Sequence, residues 1–112
     1  MNPVIVASAV AWRAWLAEHG MSQREAWLVV ARKGATGVSY QEAVEQALCF
    51  GWIDSQARRR DADSTYLRFS PRRPGSRWSQ PNRDRVSRLV EQGLMTPAGH
   101  AAIDEAHRRG TW

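Results

Sequence analysis

Residues 47–78 read ALCFGWIDSQARRRDADSTYLRFSPRRPGSRW, and the reading of this stretch decides the fold. Ala47, Leu48 and Cys49 close an apolar helical segment, and Gly51 suits the left-handed turn that stops a helix. Past that point the pattern changes. Residues 54–60 and Thr65 to Ser70 are short segments, the second rich in the β-prone Tyr66, Leu67 and Phe69. Asp61-Ala62-Asp63-Ser64 between them is polar and turn-prone. Together they predict two antiparallel strands. Ser70-Pro71 and Pro74-Gly75 then end the second strand and open a loop.

Working upstream, Ser39 and Glu42 have capping-box spacing. Tyr40, Ala43, Val44, Ala47 and Leu48 fall on one face of the helix that follows. Residues 25–33, EAWLVVARK, are ambiguous. Ser22 and Glu25 match a second capping box, but Trp27-Leu28-Val29-Val30 is a short β-prone run closed by Gly34 and Gly37, and we read a strand. Before it, Ser8 caps a helix over 9–19, with Trp12, Trp15, Leu16 and His19 on one face and Gly20 as its stop. Downstream, Ser79 or a neighbour caps a helix reaching Gln92, stopped by Gly93. Thr96-Pro97 starts a last helix that runs to about Arg109. The expectation is one α+β domain over 1–112. Its small antiparallel sheet has about three strands packed with helices, in the order α-β-α-β-β-α-α.

At 112 residues the chain is long enough to bury one core, and its hydrophobic and charged fractions, 43% and 24%, are those of an ordinary soluble globule. The net charge of +5 stands out and favours an anionic partner. Fifteen arginines against the single Lys33 also fit a GC-rich genome. The lone Cys49 forms no internal disulfide and suits a reducing compartment. The apolar run VIVASAVAW lacks the basic residues that precede a secretory core, and no run reaches a membrane span. These features predict a cytosolic, soluble protein.

Between Asp54 and Arg88 ten arginines face four acids. On a strand, Arg58 and Arg60 share one side and Arg59 takes the other. Arg72 and Arg73 lie in a proline-bounded loop suited to a bidentate fork for phosphate or carboxylate, and Trp78 suits stacking on a planar ring. Asp54, after a helix end, is placed to orient an arginine. Two readings stay open here. Trp52, Asp54, Arg72, Arg73 and Trp78 line a ligand pocket, or an Asp54–arginine pair holds the loop on the sheet with Trp52 in the core. Either implies a polar network. A basic surface of Arg58, Arg60, Arg77, Arg83, Arg85 and Arg88 is the alternative, binding nucleic-acid backbone. Its last two helices are poor DNA readers, since the second is alanine-rich and carries Asp104 and Glu105.

Catalytic residues are not evident. Cys49 reads as a small buried hydrophobe. His100, Asp104 and His107 share a helix face but read as surface residues rather than metal ligands. No glycine-rich phosphate loop or nucleophile motif occurs, and no cofactor is expected.

ALCFGWIDSQ, RFSPRRPGSRWSQPNRDRV and LVEQGLMTPAG, in this order, resemble the YdeI/OmpD-associated bacterial family, also labelled bacteriocin-protection. The likeness runs from about Trp12 to Ala106, with Ser70 where members often carry threonine. It implies a small α+β domain akin to the YjbR/CyaY-like group and a part in envelope stress and resistance to cationic antimicrobial peptides. It implies no particular reaction or ligand. The combined expectation is a non-catalytic cytosolic protein that binds a small planar or anionic molecule through the Trp/Arg pocket. The alternatives are nucleic-acid association and an uncharacterised enzyme.

Overall fold

Each helix begins where a side chain satisfies its free N–H groups. The computed structural model describes residues 2–112. Helix α1 (Ala9–His19) is capped by Ser8, whose hydroxyl accepts from the Ala11 N–H. Helix α2 (Tyr40–Cys49) has the full Ser39/Glu42 capping box. Ser79 caps α3 (Gln80–Glu91) and Thr96 caps α4 (Pro97–Arg109), each with proline in the first turn. Among the described residues no helix is long and apolar enough to cross a membrane.

The sheet differs from expectation in two respects. It has four strands rather than three, and it is mixed rather than antiparallel, in the order β1-β2-β4-β3. The addition is β1 (Pro3–Val4), which pairs in parallel with β2 (Ala26–Ala31). Two residues carry no periodicity, so no sequence pattern marks them. Strand β3 (Trp52–Arg59) begins two residues before the expected Asp54 and pairs antiparallel with β4 (Ser64–Pro71). The remaining order matches, and residues 26–31 are a strand. The Ser22/Glu25 capping box does not form; Glu25 instead pairs with Arg68 at 2.7 Å. Gly20 caps α1 in a right-handed conformation, φ −60°.

Antiparallel partners share a sheet face, which sorts the side chains. Ala26, Leu28 and Val30 alternate inward on β2, opposite Phe69, Leu67 and Thr65. The core is built on this face from Trp12 and Leu16 of α1, Val44 and Leu48 of α2, Val86 and Leu89 of α3, and Ala106 of α4. Trp12 and Phe69 meet with ring centroids 5.2 Å apart, and the Trp12 indole N–H donates to the Ala43 carbonyl at 3.0 Å. A bulge between Asp54 and Ala57 puts one extra β3 residue against β4 and re-aims the arginines beyond it. Trp27, Val29 and Tyr66, on the opposite face, belong to no part of the core.

The β3–β4 turn is held by Asp61, which accepts from the Ser64 hydroxyl and the Asp63 N–H, both at 2.9 Å. The Ser64 hydrogen bond first, then that of Asp63, holds its carboxyl below the usual range. A depressed folded-state pKa adds stability above the unfolded-state value, and this is lost as pH falls through the folded one. The stability gap between the parent and Asp61→Asn is therefore expected to close as pH drops through and below the ordinary carboxylate range. Urea melts across that range measure it.

Candidate functional site

The three motif-bearing stretches converge on the α2–β3 junction. Gly51 has φ +76°, and a Cβ there would lie 3.0 Å from the Ala98 carbonyl oxygen. Its own carbonyl accepts from the Arg72 N–H at 2.9 Å. The Cys49 carbonyl accepts from the Thr96 N–H at 3.0 Å and from the Thr96 hydroxyl at 2.5 Å. FGW, PRRPG and MTPAG therefore form one structural joint.

The structure does not gather Trp52, Asp54, Arg72, Arg73 and Trp78 around one cavity. Trp52 is 1% exposed, and its indole N–H donates to the Gly20 carbonyl at 3.3 Å. Asp54 accepts from the Tyr40 hydroxyl at 3.2 Å instead of meeting an arginine. Arg72 lies over the buried Trp78, its Cζ 4.0 Å from the ring centroid, and donates to the Arg77 carbonyl at 3.0 Å. Burial lowers its guanidinium pKa from the ordinary value, and no carboxylate pairs with it among the described residues. Arg72, Arg73 and Trp78 do share a cavity with Glu105, but of only about 80 Å³. Pockets for small organic ligands run about 300–1,000 Å³. This loop is expected to be structural: Arg72→Ala loses about 2 kcal/mol through the ring contact and the carbonyl hydrogen bonds. The exposed Arg73 loses at most about 0.5 kcal/mol on the same change. Thermal melts of the two variants check this contrast.

The six arginines of the basic surface also divide. Arg83 donates to the Trp112 carbonyl at 2.5 Å and Arg85 to Asn82 Oδ1 at 2.9 Å. Arg88 pairs with Glu45, and Arg77 is exposed on the loop. Arg58 and Arg60 instead lie on the sheet face away from the core, in the alternation expected of a strand. Arg58 Cζ is 5.1 Å from the Trp27 ring centroid, and Arg60 Cζ is 6.0 Å from that of Tyr66. His107 stacks on Trp112, and no group of three metal-ligating side chains comes together among the described residues.

The large concavity lies elsewhere. A groove of about 880 Å³ runs between β1, α1 and the start of β2, lined in part by Val4, Trp15, His19, Gln23, Trp27 and Arg58. Trp15 is anchored from behind, stacked on Trp12 at 5.4 Å and edge-on to Trp52 at 6.0 Å. Arg58 has no ion-pair partner among the described residues. The groove opens onto the free sheet face, where Arg58 pairs in register with Tyr66 and Tyr66 with Val29. There Arg68 donates to Glu25 Oε1 at 2.7 Å and to Ser55 Oγ at 3.2 Å. An aromatic wall, a half-solvated imidazole, an amide and an unpaired guanidinium suit a planar ring carrying negative charge, while the Glu25 carboxylate at the rim is engaged by Arg68.

Sequence reasoning missed Trp27, Tyr66, Arg68 and His19 as site residues. One signal was present. In AWLVVA, Trp27 has the parity opposite to Leu28, and in TYLRF, Tyr66 and Arg68 alternate with Leu67 and Phe69. Comparison with curated proteins and with solved structures yields no match. A family match spans residues 4–102, covering β1 from Val4, the other three strands, the first three helices, most of the groove lining and the loop joint. The chain belongs to the family described as domain of unknown function (DUF8412).

Proposed function

We propose that the protein binds a small planar, anionic molecule in the groove walled by Trp15 and Trp27, with Arg58 meeting its charge. The observation that carries this reading is the pairing of a ligand-sized concavity with an arginine that has no carboxylate partner. An unpaired cation beside an aromatic wall is a receptor for charge and ring together. In this reading the protein acts from the cytosol by sequestering or sensing such a molecule. A contribution to stress or antimicrobial resistance, which the likeness to the YdeI/OmpD-associated family implies, follows from that capture.

A second reading is favoured by the row beyond the groove. Tyr66 with Arg60, and Arg68 beside Trp27, continue the row of rings and guanidinium groups across the sheet face away from the core, these two arginines also pairing with Asp61 and Glu25. Successive bases of a single strand stack on such a face while arginines follow its phosphates.

Titration of tryptophan fluorescence with a nucleoside monophosphate tests the first reading. Saturable quenching that Arg58→Ala abolishes supports it; quenching that survives this change, or no quenching, sinks it. A single-stranded oligonucleotide tests the second. Its log affinity should fall with log salt at about 0.7 per neutralised phosphate, and a salt-independent signal excludes backbone binding.

A further inference from the structure

A separate concavity lies on the core side of the sheet, where β3 and β4 extend past the start of α2. Its floor is apolar, made by Val30, Ala57 and Leu67, and its volume is about 410 Å³. Arg32, Lys33 and Arg59 stand around it, with the Tyr40 phenol and Thr65 at its wall. No carboxylate lines this space. None of the three cations has an ion-pair partner among the described residues.

The sheet register puts Arg59 here. Arg59 pairs with Thr65 and Ala57 with Leu67, so both share the core face, whereas Arg58 faces the groove on the other side. Like charges brought to one concavity repel unless water or an anion separates them. Ala57, the exposed residue of that floor between the buried Val30 and Leu67, favours an occupant with hydrocarbon surface. Both features select the same kind of molecule.

We infer that this concavity is a second binding site, for a small carboxylate carried on an apolar body such as an aromatic acid. The carboxylate lies among Arg32, Lys33 and Arg59, and the hydrocarbon part rests on the floor at the exposed Ala57. The Tyr40 hydroxyl already donates to Asp54 at 3.2 Å, and burial, with the Asp54 charge, raises its pKa. The phenol thus stays neutral beside the bound anion.

The test is amide NMR of the whole chain titrated with 1-naphthoate. Matched titrations use naphthalene-1-methanol, which lacks the charge, and inorganic phosphate, which lacks the ring. Saturable shifts at residues 31–33, 57–59 and 65–67 with naphthoate, much weaker with both controls, are expected. Lys33→Gln with Arg59→Gln should weaken naphthoate binding about tenfold or more and leave shifts elsewhere unchanged. Both side chains are exposed, so the fold should persist, and circular dichroism checks it. Equal binding of the alcohol reduces the site to an apolar patch. Equal binding of phosphate reduces it to a cationic one. Naphthoate shifts confined to the Trp27 groove, or absent, overturn the proposal outright.

Discussion

Replacing Gly99 by alanine is expected to cost about 3 kcal/mol or more, near the upper end for an overpacked contact. Gly99 is buried in the first turn of α4, where that helix docks against the end of α2. A Cβ there would press into the Met95 sulfur and the Cys49 carbonyl oxygen, with the carbonyl carbon at 2.9 Å. Methionine can rotate away, but the Cys49 carbonyl cannot. It already accepts the Thr96 N–H and hydroxyl that fix the start of α4. Domains of this size are held by about 5–15 kcal/mol, so this change removes a large fraction of the whole. Gly75→Ala is the control, because a Cβ there meets nothing within 4 Å. Urea melts should separate the two variants, and a Gly99→Ala protein as stable as its parent would mean that the α2–α4 contact is looser than described.

The second large effect is on binding. Trp27→Ala should weaken capture of a planar anion about tenfold, the usual worth of an aromatic stacking partner. Stability should change little, by about 1 kcal/mol, mostly the lost Arg58 contact. The separation is possible because Trp27 lies outside the core, unlike Trp12 and Trp52, which are 0% and 1% exposed. Fluorescence titration of Trp27→Ala beside Trp27→Phe reads the difference, with phenylalanine retaining part of the affinity. A tenfold loss shared by an Arg73→Ala variant would move the site to the proline loop.

Much of the fold was legible because local chemistry and global packing agree. Ser8, Ser39, Ser79 and Thr96 cap helices as their spacing indicates. The β3–β4 hairpin forms around its acidic turn. β1 was not legible: its two residues are a strand only because β2 lies beside them. The site was harder to read, and for a different reason. Arginines and tryptophans packed into residues 47–78 look like a receptor, yet Trp52 serves the core and Arg72 serves Trp78 and its loop carbonyls. The groove assembles residues far apart in the chain, Val4, Trp15, His19, Trp27 and Arg58. Only the β2–β4–β3 register and the Asp54–Ala57 bulge bring Arg58 to Trp27. No local pattern encodes that meeting.

The central claim is that the ligand enters the Trp27–Arg58 groove rather than the Arg72–Trp78 loop. Amide NMR of the chain saturated with a nucleoside monophosphate tests it most directly. Shifts should concentrate at Val4, Val6, His19, Gln23, Trp27 and Arg58, with residues 72–78 unmoved. Shifts concentrated at 72–78 with a silent groove would contradict it.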